Sequence, residues 1–557
     1  MLHIVIVGGG IAGLSAATIL SDLPNVKISI YEKEYQIGGQ ACSEYNGSCF
    51  SEYSWRIYGA VYFNLLHILT KIDALKNFEK LDNTCFIDGK NASSAYLGSY
   101  NQIYNLFKYS NIDDYYKLVN LTVECKDRLL NEYQNVNALE YFNNNPIAKT
   151  IMGPFLGMDA NRVSLSGAMK NIISTCDNTE GTAYISKYPT QQALFEKWDE
   201  YLRAKGVTIY TNHSLQNISI ANNKIENITV NDKIIQADEY VFACSLEPLI
   251  KIIEKSEELK RVDTFRKFPQ LKAGLQLYFT INMYFSEKLA ESDECRHMVI
   301  VDMPWQPIIQ KKRGWGDGYM KKCKLDDTKI KDVWNVGFLD NNKGAYNNKM
   351  VSECSIQEAI EEGVSQVKNS EYVKTLLSKN GLQFDDLYIG ADYWYQFTEN
   401  NLGKLISENP KYSINTGVME NMPSNHNADL PENMYLAGYY VNSSMGGVSM
   451  EASCETGLMA GKQIIDKHNI PYEGTLPMKH TNENILDIFM PFILLDKLLY
   501  LYKLPPVTLY LNSFILVVVY LIVLIILLFF IIRYALSIVS NLMIVKKYTK
   551  YIRKFIL

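Results

Sequence analysis

The chain opens on MLHIVIVGGGIAGLSAATIL, and this segment constrains the fold more than any other. LHIVIV reads as a short strand buried on both faces. Gly8, Gly10 and Gly13 follow it at G-x-G-x-x-G spacing, and a helical run rich in Ala and Leu follows them. Gly8 permits a tight turn, Gly10 lets backbone approach a pyrophosphate, and Gly13 lets the helix pack close on the strand. The helix N-terminus then faces phosphate charge. A second strand, VKISIYEK, ends at Glu32, 19 residues beyond Gly13. An acid there accepts hydrogen bonds from a ribose 2′-hydroxyl and repels the 2′-phosphate of NADP. Strand, glycines, helix, strand and acid in this order predict an α/β, Rossmann-type dinucleotide-binding domain. A secretory signal is not expected, since a basic n-region and a small-residue cleavage site are both missing.

Three further stretches select FAD. YEKEYQIGGQACS carries Glu32, Lys33 and the Gly38-Gly39 doublet, with Gln40 after it. It resembles the E-[KR]-x4-G-G-[RK] segment of the flavin amine oxidase and phytoene desaturase superfamily, which runs back along the FAD. Gln40 departs from the basic residue usual there. LPENMYLAGYYVNSSMGGVSMEASCETG is similar to that superfamily's closing flavin motif through Leu436, Ala437, Gly438, Tyr440, Val441, Met450, Glu451, Ala452 and Gly457. Tyr439 stands where the superfamily has an Asp. A helix starting near Met450 would aim its N-terminus at the flavin's pyrimidine carbonyl. Finally, SEYSWRIYGAVYFN resembles the W-R-x-[FY]-G-x-x-Y-x-N pattern of desaturase-like members.

The resemblance implies a discontinuous Rossmann-type FAD-binding domain joined to an α+β substrate domain. It assigns to the cofactor Gly8, Gly10, Ala12, Gly13, Glu32, Lys33, Gly38, Gly39, Gln40, Leu215, Gly438, Tyr439, Met450 and Glu451. It implies an FAD-dependent oxidoreductase that removes a hydride from a C–H bond of an apolar substrate, isoprenoids among them. KAGLQLYFTINMYF, VDMPWQPIIQKKRGWGDG and SECSIQEAIEEGVSQV follow the segment order of the hydroxysqualene dehydroxylase group. An amine oxidase releasing peroxide is the alternative. It usually carries an aromatic cage residue before Met-Glu, and Ser449 stands there. No Cys lies between 355 and 453 for a covalent flavin, so the FAD is expected to be non-covalent. A further alternative is a membrane-anchored binding protein in which Gln40 and Tyr439 mark lost catalysis. No general base is named; Arg56, Lys272 and His297 are candidates, and no metal site is expected. Without a second G-x-G-x-x-G unit, the expected electron acceptor is O₂ or a quinone.

The predicted FAD domain comprises 1–65, 180–255 and 405–470, and the substrate domain 66–179 and 256–404. Residues 471–510 read as linker and interfacial helix. Residues 514–532 are 19 apolar residues in a row, enough for a helix of roughly 30 Å, the thickness of a bilayer core. A transmembrane helix is therefore expected over 511–533, with a basic tail over 534–557. The expected location is a membrane, single-pass, with the FAD domain facing the cytosol. Ten cysteines without CxxC read as reduced thiols. With 55 basic against 60 acidic residues, the net charge of −5 argues against a nucleic-acid partner.

Overall fold

The computed structural model describes residues 1–45, 50–81, 83–96, 112–145, 157–175, 183–287, 295–312, 330–445, 449–480, 489–510, 518 and 520–534. The chain forms two compact units, one of residues 1–109 and 129–485, the other of 110–128 and 486–557.

In the first unit, a five-stranded parallel sheet is ordered Thr208–Tyr210, Val26–Tyr31, Leu2–Val7, Glu239–Phe242, Met434–Leu436. Its strands come from all three stretches expected to build the FAD domain. Leu2–Val7 lies in the middle, with Ile4, Val5 and Ile6 fully buried, which is why Ile4–Val7 is an unbroken apolar run. The helix Ile11–Leu20 is buried along its whole length. It packs against the helix Met450–Lys467 through small residues. A Cβ on Gly457 would sit 2.1 Å from the Ala12 carbonyl oxygen, and one on Gly461 2.3 Å from the Ile19 side chain. The Trp198 indole donates to Thr18 Oγ1 (2.8 Å) and fixes the helix from its other side.

A seven-stranded sheet is ordered Tyr388–Tyr393, Tyr278–Phe285, Asp332–Leu339, Ile308–Lys311, His297–Ile300, Asn83–Asp88, Asn91–Tyr96. All its strands come from stretches expected in the substrate domain. Pairing is antiparallel except between His297–Ile300 and Asn83–Asp88. Tyr278–Phe285 and Asp332–Leu339 are buried throughout. The helix Ile356–Asn369, capped by Ser355 and Glu358, packs on this sheet where Gly363 meets the Phe338 ring.

The cysteine reading needs correction. Cys85 and Cys295, 210 residues apart, form a disulfide. The parallel pairing of Cys85 with Met298 brings these segments side by side, and no local spacing announces it. Cys42, Cys125, Cys244, Cys354 and Cys454 are free. The expected linker also begins as ordered chain. The Asn64 side chain donates to the Met478 carbonyl (2.9 Å) and accepts from its N–H (2.8 Å).

In the second unit, the helices Ile112–Val123 and Met490–Leu501 pack together. Asp496 is fully buried among them. It accepts from Arg128 Nε (3.0 Å) and from the N–H groups of Cys125 and Val507. Leu494, Leu498 and Leu501 of the same helix are exposed. Among the described residues no helix is long and apolar enough to cross a membrane. Residues 518 and 520–534 are helical, while the rest of the expected span and the basic tail after Tyr534 lie outside the described residues.

Candidate functional site

A cavity of about 430 Å³ opens at the carboxyl ends of the parallel strands. This is where α/β sheets of this topology bind ligands. Gly8 turns the chain at the end of the first strand with φ +109°, and a Cβ there would lie 2.6 Å from the Ala243 carbonyl oxygen. Gly13 does not line the cavity. A Cβ on it would meet the Gly8 carbonyl oxygen at 2.0 Å, so its part is the close helix–strand approach expected for it.

The second glycine segment closes over the first. Gly38 N–H donates to the Gly9 carbonyl (2.8 Å), and Gly10 and Gly38 form a parallel bridge. Gly39, at φ +55°, brings backbone against Gly10. Glu32 is buried at the floor. Its carboxylate accepts from Gly9 N–H (2.6 Å) and Glu34 N–H (2.9 Å), and burial raises its pKa. Lys33 lines the rim and pairs with Glu34. Ala12, Leu215, Gly438 and Met450, four of the residues assigned to the cofactor from sequence, line the same cavity.

Three expectations change. Glu451 is fully buried and faces away from the cavity. It accepts from the N–H groups of Asn64 and Leu65 (2.9 Å each) and from the Asn64 amide, capping the helix Phe63–Lys71. Burial lifts its pKa to about 7. Lys272 is half exposed on the surface, 4.0 Å from Glu254, and is no part of the cavity. Gln40 lines the cavity, but its amide nitrogen donates to the carbonyls of Asn409 (2.6 Å) and Pro410 (3.0 Å). It ties down a loop, which a neutral donor does without introducing a buried charge.

Tyr439 replaces a carboxylate by a different contact. Its hydroxyl accepts from Leu246 N–H (3.1 Å), at the start of the helix Leu246–Ile253. Its ring packs against Tyr412, with centroids 5.2 Å apart.

Arg56 reaches the cavity from a buried ionic cluster. Glu52 Oε1 accepts from Ser43, from Thr190 N–H and from the Thr190 hydroxyl, and lies 3.4 Å from Arg56 Nη1. Its Oε2 accepts from Lys312 (2.9 Å). Burial alone would raise the Glu52 pKa. The Lys312 and Arg56 charges outweigh burial and hold it at about 2. Arg56 in turn donates to the Gln40 carbonyl (2.7 Å), so the cluster braces the cofactor-side wall.

Sequence reasoning named His297 as a candidate base and Trp55 as part of the W-R pattern, but it missed Thr84, Lys411 and the far arm of the cavity. Trp55, Thr84, His297 and Lys411 line it. The Trp55 and His297 rings pack with centroids 4.6 Å apart, tilted by 51° to one another. Thr84 Oγ1 lies 3.1 Å from His297 Nδ1, and burial lowers the imidazole pKa to about 3, so the ring is neutral. Lys411 Nζ lies 4.8 Å from the centre of the Tyr278 ring, and burial lowers its pKa to about 8. Nothing in the surrounding ENPKYSIN marks this lysine.

A family model for an NAD(P)-binding Rossmann-like domain matches residues 6–72. A search of curated proteins returns no match. Solved structures do match over most of the chain. An oxidoreductase from Methanosarcina mazei aligns with TM-score 0.55 at 13% identity, covering 84% of this chain and 100% of its own. The fold is the one these oxidases share. A putrescine oxidase solved with putrescine bound aligns with TM-score 0.56 at 12% identity, covering 84% and 99%. Cyclohexylamine oxidase from Brevibacterium oxydans aligns with TM-score 0.55 at 14% identity, covering 84% and 99%. This fold is a Rossmann-type α/β dinucleotide fold with a mixed second sheet.

Proposed function

We propose that the chain is an FAD-dependent oxidoreductase that removes a hydride from a C–H bond of a largely apolar substrate, with non-covalent FAD. The observation that carries this is the continuity of the cavity. It runs from the double-glycine cradle and Glu32 into an arm walled by Trp55 and His297.

The donor set fits FAD. The Gly8–Gly10 turn and the N-terminus of the helix Ile11–Leu20 suit a pyrophosphate, because its first N–H groups have no partner within the helix. Glu32 suits a ribose diol. Bound FAD supplies the two-electron acceptor for a C–H bond. The chain's own part is to hold the substrate and exclude water. Neutral His297 and the aromatic walls keep the arm of low polarity, and the N-terminus of the helix Met450–Lys467 favours negative charge beside Met450.

Oxidation of an amine is the second reading, supported by the likeness to oxidases named for putrescine and cyclohexylamine. The far arm speaks against it, since among the described residues no Asp or Glu lines it to hold an ammonium. We further propose that the apolar run 514–532 anchors the chain in a membrane with the FAD domain on the cytosolic side.

An absorption spectrum of the detergent-purified protein tests the reading. Flavin bands that enter the supernatant after denaturation are expected. Protein that takes up no FAD even when it is supplied refutes the oxidoreductase, and flavin retained in the pellet refutes non-covalent binding. Protease protection of the FAD domain in sealed, inside-out vesicles would refute the proposed orientation.

A further inference from the structure

The far arm of the cavity presents polar groups that make no hydrogen bond of good geometry among the described residues, although the Trp55 indole does neighbour the Tyr278 hydroxyl. Lys411 Nζ has no carboxylate within ion-pair distance among the described residues, and it faces the Tyr278 ring. The Trp55 indole N–H is buried without a partner, and indole nitrogen can only donate. Both side chains approach one point beside Gly157, since a Cβ there would lie 2.5 Å from Lys411 Nζ and 4.0 Å from Trp55 Cζ2. His297 Nε2 is buried and unpartnered as well. The buried carboxylate behind Arg56, Glu52, is consumed by Lys312, Arg56, Ser43 and Thr190.

Buried donors without acceptors are costly, and a buried cation more so. An anionic ligand relieves both costs. We propose that this arm is an anion subsite, in which Lys411 Nζ and the Trp55 indole N–H bind a carboxylate or phosphate carried at one end of an otherwise apolar substrate. The inference rests on the oxidoreductase reading for its word substrate, and it sharpens that reading to an apolar body with an acidic head. The tilted rings of Trp55 and His297 take the apolar part next to that head. The same donors discriminate against ammonium ligands, because two like charges would share a site of low dielectric.

The test is titration calorimetry on the full chain in detergent, with four probes: 4-phenylbutyrate, phenyl phosphate, 4-phenylbutyramide and 4-phenylbutylamine. The flavin spectrum of each preparation is recorded first. A charge-assisted hydrogen bond predicts that an anion binds about 10- to 100-fold tighter than the amide, and the amine most weakly. K411M should remove that preference and leave amide binding unchanged. K411R should retain it and shows that the fold tolerates change at this position. Whichever of carboxylate and phosphate binds tighter identifies the head group. Equal binding of anion and amide, tightest binding of the amine, or undiminished anion binding to K411M overturns the proposal. Loss of flavin from K411M with intact folding also overturns it, because the lysine then serves the cofactor. Absent flavin in the wild type refutes the oxidoreductase alone, and the calorimetry still decides the subsite.

Discussion

Replacing Glu52 by Gln removes one charge and almost no volume from the buried cluster behind Arg56. Lys312 and Arg56, their side chains 3% and 5% exposed, then lose the carboxylate they share. Breaking a buried pair by deleting one partner costs about 3–5 kcal/mol, because an uncompensated charge stays buried. Glu52→Gln should lower the free energy of unfolding by that amount, read from denaturant melts of flavin-free protein followed by tryptophan fluorescence. The double variant Glu52→Gln, Lys312→Met removes one of the stranded charges. It should recover at least about 1 kcal/mol relative to Glu52→Gln alone. The pH dependence has a definite sign. The folded-state pKa of about 2 lies below the ordinary value of 4.5, so this stabilisation is full above pH 4.5 and is lost as pH falls towards 2. A cost for Glu52→Gln below about 1 kcal/mol, or a double variant no more stable than the single, would refute the ionic account of the cluster.

Gly13→Val sets a side chain against the Gly8 carbonyl oxygen, which backbone cannot yield without parting helix from strand; its flavin-to-protein ratio after purification should fall at least about tenfold. Tyr439→Phe leaves Leu246 N–H without its acceptor, so a loss of about 1 kcal/mol in thermal unfolding is expected with flavin still bound. Loss of flavin instead would show that the hydroxyl serves the cofactor directly. Non-reducing peptide mapping should recover Cys85 linked to Cys295, and the C85S/C295S pair should lower stability by about 2–4 kcal/mol, read in the same melts. Anion binding at Lys411 should weaken as pH rises through about 8, where the ammonium loses its proton, and K411R should abolish that dependence in the same calorimetry. Among the described residues, Tyr278, Trp55 and Gly157 face that ammonium and Tyr53 meets its backbone, and none of them ionises below that pH.

The sequence by itself determined the nucleotide end of the site. Gly8, Gly10, Glu32 and Gly38 work through backbone turns and short-range pairing, and each sits within a few residues of the strand or helix it serves. Such constraints leave a mark at fixed spacing, which is why the strand–turn–helix could be drawn before any coordinates were known. The Tyr439 substitution was equally visible, but its consequence was not, because its partner Leu246 lies 193 residues away. Tertiary structure alone decided the rest. It turned Glu451 inward to cap a helix that begins at Phe63, left Lys272 on the surface, and paired Cys85 with Cys295 through a sheet register. It also brought Trp55, Thr84, His297 and Lys411 to one arm of one cavity from four separate stretches of chain. Side chains that meet only by packing obey no spacing rule, since burial and charge select the residue type while the sheet topology selects its neighbours.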